Sequence, residues 1–453
     1  MNAVVAPGAR TGKVTPPASK SHAHRLFIAA SFSDGPKTVV CREVSKDIEA
    51  TINCLMALGA EIEGNGDGTF SVRPAGCASS HEGGSLSSSG NLYSECGSLS
   101  GKPCVADLFC GESGSTQRFM LPLAGITGRP CAFYMEGRLP ERPLDVFAGE
   151  LRTHGMHIAR ERNILLVSGR LTAGDFSLPG NVSSQFISGL LLALPLVKEK
   201  GAVSRVFVRG KIESGSYIDI TESVLKLGKI RFERSDGDGL RVYEIPAGQT
   251  YRIPAMAEVE KDWSGAAYFL AAGAFSKKGV TVCGLRGDSP QGDRKIVDTL
   301  RSFGASVTEK KRRGGTSDFT VKKGKLSGAV IDASDIPDLV PLICAVAAGA
   351  SGDTVILNAG RLRLKESDRI KTTAAMINSL GGFAEETDDG LVIHGTGSLR
   401  GGQFPTADDH RIAMAGALAA SISKESVYAE NASCAGKSYP GFWDDLFSLK
   451  TGG

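Results

Sequence analysis

Asp408-Asp409-His410-Arg411-Ile412-Ala413-Met414-Ala415-Gly416-Ala417-Leu418-Ala419-Ala420 opens on polar and charged residues and continues as an apolar run of helical length. Asp at such a mouth is an expected N-cap, because its carboxylate accepts a bond from a backbone N–H that the first turn leaves unpaired. The run behind it has no polar face, which predicts a helix buried on all sides. The same design recurs at Ser19-Lys20-Ser21 with Arg25, Ser115-Thr116-Gln117-Arg118, Ser183-Ser184-Gln185, Asp262-Trp263-Ser264 and Asp338-Leu339. A helix N-terminus offers free N–H groups and the positive end of a dipole to an anion. Six such mouths, interleaved with Lys and Arg, predict a site for small, multiply charged anions.

The mouths lie 96, 68, 79, 76 and 70 residues apart. Between them, amphipathic segments end at Leu58-Gly59, His154-Gly155, Leu227-Gly228, Phe303-Gly304 and Leu380-Gly381, spaced 96, 73, 76 and 77 residues. Gly is the common residue just past a helix end, where a positive φ is needed. Alternating stretches around Gly64-Asn65-Gly66-Asp67-Gly68 and Asp388-Asp389-Gly390 read as hairpins. Self-similarity at a fixed period means a repeated unit. The unit is read as strand, buried helix, strand, amphipathic helix, hairpin. Six copies, the last truncated at 438–449, predict an α/β chain of two domains with three units each. The first interval is longer because of a Ser/Gly-rich stretch at 76–103, read as a surface insertion.

Composition sets the outer limits. With 453 residues the chain has room for two or three domains. A net charge of +3 is too slight to argue for nucleic acid or a membrane surface, so the positive charge that matters must be local. No apolar run is long enough to span a bilayer, and the N-terminal stretch lacks the apolar core of a signal peptide. A reducing cytoplasm is therefore the expected location. The ten Cys form no CxxC pair, which argues against zinc. His22 and His24, two apart, lack a third ligand nearby, so no metal is expected.

Lys20 at a helix start is unfavourable for the helix itself, and that cost suggests an anionic ligand. Gly111-Glu112-Ser113-Gly114-Ser115 is a turn through which backbone N–H groups can approach an oxyanion. It is not a P-loop, since GxxxxGK[ST] is absent. Arg138-Leu139-Pro140-Glu141-Arg142-Pro143 stiffens two guanidinium groups, suited to phosphate or carboxylate or else to salt bridges with Glu141 or Asp145. Asp338 and Glu366 are candidate general acid/base carboxylates. His410 could titrate near neutrality, although a structural hydrogen bond is the better reading of a lone His.

Nine segments in order carry a family resemblance: Ser19-Lys20-Ser21 with Arg25, Gly111–Arg118, Arg138–Pro143, Val182–Phe186, Tyr217–Thr221, Ile336-Pro337-Asp338, Lys365–Arg369, Asp409-His410-Arg411 and Lys437–Pro440. With them the chain resembles the 3-phosphoshikimate 1-carboxyvinyltransferase (5-enolpyruvylshikimate-3-phosphate synthase) branch of the enolpyruvyl transferases. The resemblance implies an inside-out α/β barrel in two domains, 20–257 and 1–19 plus 258–453, with the active site in the cleft between them. It implies transfer of the enolpyruvyl group of phosphoenolpyruvate to the 5-hydroxyl of shikimate 3-phosphate, an enzyme of the kind that glyphosate targets, no cofactor, small-molecule partners alone and a monomer.

Residue by residue, the resemblance implies that Lys20 touches both substrates. Ser21, Arg25, Ser183, Ser184 and Ser214 would hold shikimate 3-phosphate, with Tyr217 nearby and Gln185 between the ligands. Gly114, Arg142, Arg369, Arg411 and Lys437 would hold phosphoenolpyruvate, with Arg118 lining the same region. Asp338 would act as base on the 5-hydroxyl, Lys365 would assist, and Glu366 would carry the methylene proton. Arg361 stands where some members carry Asn before the Lys-Glu motif, and Glu112 where many carry Asn. Two other readings compete. One is the sister transferase acting on UDP-N-acetylglucosamine, which carries a reactive Cys in a Pro-Cys loop; Pro130-Cys131 is present here but precedes a strand-like Ala132-Phe133-Tyr134. The other is an anion-binding scaffold without catalysis.

Overall fold

The computed structural model describes residues 2–74 and 105–452, so the Ser/Gly-rich stretch at 76–103 lies outside the described residues. Six helices follow the predicted mouths: α1 (Lys20–Ser31), α3 (Gly114–Thr127), α5 (Ser184–Ala193), α7 (Trp263–Gly273), α9 (Val340–Ala348) and α11 (His410–Ala419). Each is buried nearly throughout, as sequences such as Trp263-Ser-Gly-Ala-Ala-Tyr-Phe-Leu-Ala-Ala-Gly273 require. Six amphipathic helices alternate with them: α2 (Lys46–Ala57), α4 (Asp145–Thr153), α6 (Gly215–Leu227), α8 (Ile296–Phe303), α10 (Arg369–Ser379) and α12 (Phe442–Ser448). In α8 the apolar face Ile296, Val297, Leu300 and Phe303 is buried, while Arg301 and Ser302 face outward.

Two hydrophobic cores partition the chain. The first runs from Ala18 to Val259. The second takes Ala3, Val5 and Val14, then Trp263 to Leu449. Helices fill each core and three sheets wrap it, so each half is an inside-out α/β barrel. A typical sheet is that of the third unit. There, Asp175–Pro179 pairs parallel with Val203–Arg209, which pairs antiparallel with Leu240–Pro246 of the hairpin.

The halves exchange one strand each. Arg10–Val14, which precedes α1, pairs parallel with Val280–Leu285 of the second half. Met256–Glu258, which precedes α7, pairs parallel with Lys37–Val40 of the first half. The two crossing segments touch: Ser19 N donates to Glu260 O at 2.7 Å and Asp262 N to Pro17 O at 2.9 Å. They run directly into the mouths at Lys20 and Asp262. The truncated sixth unit is completed from the N-terminus, where Ala3–Val5 pairs antiparallel with Val427–Ala429 and takes the place of a hairpin strand.

Several local expectations change. The cap of α3 is Ser113, whose Oγ accepts from Thr116 N, so Ser115 is not the cap and lines the cleft instead. Asp338 caps nothing; it sits in the one-turn helix Pro337–Leu339 ahead of α9. The predicted C-terminal glycines take positive φ at 59, 155, 304 and 381. Gly228 does not: there Lys229 adopts the left-handed conformation, at φ 57°.

Candidate active site

The mouths of both halves converge on a cavity of about 390 Å³. From the first half, Lys20, Ser21, Arg25, Gly114, Arg118, Arg142, Ser183, Ser184, Gln185, Ser214 and Tyr217 line it; from the second come Asp338, Lys365, Glu366 and Arg411. Arg369 and Lys437, the remaining residues implied by the resemblance, are not on its wall.

The buried cations of the first half have few anionic partners. Arg25, 2% exposed, donates to neutral oxygens: Thr221 Oγ1 at 2.7 Å, Ser21 O at 2.5 Å, Tyr217 O at 2.9 Å and Ser188 Oγ at 3.2 Å. Arg118 donates to the carbonyls of Gly114 and Pro143, and its Nε has no partner among the described residues. Burial and the neighbouring Arg142 push its pKa well down. Gln185 Nε2 donates to Ser115 Oγ at 3.0 Å, while its buried Oε1 is unpaired among the described residues. Burying charge without compensation is expensive, so this wall is built to be completed by an anion. The guanidinium ends of Arg118 and Arg142 close over Gly114: a Cβ there would press on Arg118 Nη1 and lie 2.7 Å from Arg142 Nη1, so either head would have to shift.

The second half supplies the carboxylates. Asp338 Oδ1 accepts from Arg369 Nη1 at 2.8 Å and lies 3.6 Å from Lys365 Nζ. Its Oδ2 accepts from Arg411 Nη2 at 3.2 Å and from the Tyr217 hydroxyl, across the cleft, at 3.1 Å. Glu366 Oε2 accepts from Arg369 Nη2 at 2.7 Å. Arg369 itself is 1% exposed and also donates from Nε to the wholly buried Asp409 at 2.8 Å. One guanidinium thus fixes both candidate carboxylates from behind. Burial works to raise the Asp338 pKa, but Lys365, Arg411 and Arg369 outweigh it and hold the carboxyl well below the usual carboxylate range. Glu366 is likewise pushed up by burial and pulled further down by Arg369 and Arg142. Lys365 falls to about 8, because burial outweighs the attraction of Asp338.

His410 is corrected on both counts. It does not titrate near neutrality, since burial and Arg411 push it down to about 3. Nor is it held at Nδ1 by a hydrogen bond among the described residues. His22 and His24 diverge: His22 Nδ1 accepts from Glu260 N, and His24 Nδ1 bonds Thr51 Oγ1. The Arg138–Pro143 segment splits. Arg138 pairs with Glu141 at 3.4 Å on the surface, and Arg142 faces the cavity.

A model of the family described as EPSP synthase (3-phosphoshikimate 1-carboxyvinyltransferase) matches residues 4–446. The chain belongs to the EPSP synthase family. Similar members named 3-phosphoshikimate 1-carboxyvinyltransferase include that of Clostridium kluyveri, 40% identical over 97% of this chain and 95% of that one. The Clostridium acetobutylicum protein is 37% identical over 99% and 97%. An EPSP synthase structure from Acinetobacter baumannii covers both chains fully with a TM-score of 0.76 at 22% identity. An enolpyruvyl transferase from Streptomyces tendae gives 0.71 at 16% and covers 100% of this chain and 99% of that one. These structures share the fold.

Glu112 and Arg361 both make ion pairs between the halves. Glu112 meets Lys437 at 2.9 Å, and Arg361 meets Glu213 at 3.3 Å. Asp47 and Asn181 also line the cavity and were not singled out from sequence, whereas Ser264 and Ser438, quoted only within the mouth at 262 and the segment at 437–440, line it without having been given a role. Asp47 pairs with Lys20 at 2.8 Å. An acidic residue in the first turn of a helix such as α2 is so ordinary that nothing in the sequence marked it.

Proposed function

We propose that the chain transfers the enolpyruvyl group of phosphoenolpyruvate to the 5-hydroxyl of shikimate 3-phosphate and releases phosphate. The observation that carries this reading is the pairing of Asp338 and Glu366 on one buried guanidinium, facing Arg25 and Arg118, which donate only to neutral oxygens, and Lys20, which among the described residues Asp47 alone pairs. Ser21, Arg25, Ser183, Ser184 and Ser214 hold shikimate 3-phosphate, with Tyr217 bracing Asp338. Lys20 and Gln185 lie between the two ligands. Arg118, Arg142 and Arg411, backed by Arg369 and Lys437, hold phosphoenolpyruvate over Gly114.

In the addition step Asp338, assisted by Lys365, takes the proton of the 5-hydroxyl as its oxygen attacks C2 of phosphoenolpyruvate. Glu366 delivers a proton to C3, giving a methyl group and a tetrahedral adduct. In the elimination step Glu366 takes a proton back from that methyl, the C2–O bond to phosphate breaks and the double bond re-forms; the proton that Asp338 took from the hydroxyl passes to the departing phosphate, which leaves as hydrogen phosphate, and both carboxylates are restored. Both carboxyls are held ionised by surrounding cations. The phosphates and carboxylates of the substrates neutralise those cations, which lifts both pKa values toward the range where a proton can be exchanged.

The two halves are proposed to move as bodies about the paired crossing segments at 15–19 and 259–262, excluding water as they close. The protein works as a monomer in the cytoplasm: one chain supplies every residue of the site, and among the described residues no helix is long and apolar enough to cross a membrane. The sister reading on UDP-N-acetylglucosamine is not favoured. Cys131 lies in the strand Cys131–Met135, and burial pushes its thiol up to about 12, far from a reactive thiolate.

Phosphate release with phosphoenolpyruvate and either shikimate 3-phosphate or UDP-N-acetylglucosamine tests the reading. Release with the shikimate acceptor alone is expected. Release with the sugar nucleotide alone overturns the substrate assignment. Binding of shikimate 3-phosphate without release leaves the scaffold reading. Gly114→Ala pushes its methyl against the heads of Arg118 and Arg142. KM for phosphoenolpyruvate should rise about 10- to 100-fold, with glyphosate weakened more than shikimate 3-phosphate. Unchanged constants for all three ligands remove Gly114 from the site.

A further inference from the structure

We infer that Glu112 is a built-in competitor for the ammonium group of Lys437 and thereby sets the affinity for phosphoenolpyruvate, an inference that rests on the proposed function. Lys437 Nζ lies 2.9 Å from Glu112 Oε1 and 3.0 Å from Oε2, and it donates to Asp408 O at 2.9 Å. A lysine ammonium has three protons, and these contacts use them. The pair joins the two halves at the edge of the cavity: Glu112 is two residues before Gly114, and Lys437 is next to Ser438.

The carboxylate has a prepared seat. A Cβ on Gly137 would lie 2.7 Å from Glu112 Cδ and 2.8 Å from Oε2, so the absent side chain at 137 lets Glu112 lie flat toward Lys437. An incoming carboxylate has the same charge and oxygen geometry as Glu112, and an incoming phosphate brings more negative charge to the same ammonium. It gains Lys437 only by displacing Glu112 or by crowding a second anion against it. Each outcome weakens the ligand relative to a site with a neutral residue at 112. With the Glu112 side chain about 35% exposed, the effect is screened and modest.

Glu112→Gln keeps the size and removes the competing charge. KM for phosphoenolpyruvate should fall about two- to fivefold, with no rise in kcat and no matching fall in KM for shikimate 3-phosphate. In a Lys437→Met background the same substitution should leave KM for phosphoenolpyruvate where it is. Calorimetric binding of phosphoenolpyruvate to the full chain reads the same shift without turnover. A chain that binds but releases no phosphate therefore fails the proposed function while the effect of Glu112 is still measured. An unchanged or raised KM in Glu112→Gln overturns the inference. So does an equal fall in KM for both substrates, or a fall that persists without Lys437.

Discussion

Glu366→Gln is expected to lower kcat by about two to four orders of magnitude, the usual worth of a general acid/base, with a much smaller change in either KM. Gln keeps the shape and still accepts a bond from Arg369 Nη2, now 2.7 Å from Glu366 Oε2. What it loses is a proton to give and a place to put one back. The substitution also separates the two carboxylates. If Glu366 alone serves the methylene carbon, the variant should stop exchanging solvent deuterium into C3 of phosphoenolpyruvate. Asp338→Asn should block attack by the 5-hydroxyl instead. In the intact protein Glu366 is held ionised by Arg369 and Arg142 against the upward pull of burial. The acid it must become therefore forms only once a bound anion has offset Arg142. The pH dependence of kcat, which reports the ternary complex, should then carry a limb that the Gln variant lacks. A variant turning over at nearly the native rate would overturn the assignment.

The readable part of this chain was the local part. Six mouths, six buried helices and five hairpins each follow from signals within about fifteen residues: a cap, a period and a turn. Pairing partners for the strands before each mouth were not readable. Nothing in Arg10–Val14 or Met256–Glu258 sets their pairing apart from that of Asp175–Pro179, yet they cross to the opposite half. A parallel partner is specified by no turn, only by which core has space. The same limit holds in the site. Lys20, Asp338 and Glu366 stood out because charge beside a buried helix is costly. The partnership of Arg369 with three carboxylates joins residues 338, 366 and 409, and no sequence spacing reveals it. Glu112 and Arg361 were visible only as departures; that each bridges the halves needed coordinates.

Arg369→Met should destabilise the second half by about 3–5 kcal/mol at neutral pH, the usual consequence of removing one partner from a buried ion pair. Its methylene stem is replaced at similar volume, so packing is largely kept. What remains is Asp409 at 0% exposure, with Asp338 and Glu366 beside it, and no cation bonded to all three. The sign of the pH dependence tells this mechanism from simple loosening. In the native chain the three carboxyls have folded pKa values below the ordinary range despite burial, Glu366 and Asp409 held down chiefly by Arg369 and Asp338 by Lys365 and Arg411 ahead of Arg369. Their contribution is therefore present above the unfolded carboxyl pKa and is lost as pH falls through the folded values. Without Arg369 burial dominates at Asp409, its folded pKa rises above the unfolded one, and it takes up a proton. Stability of the variant should then fall as pH rises from about 4 to about 7, so the gap to the native chain narrows on acidification. Denaturant midpoints for the second half, measured across that range, read both slopes. A gap that stays constant with pH would mean that Arg369 acts there by packing and not by charge.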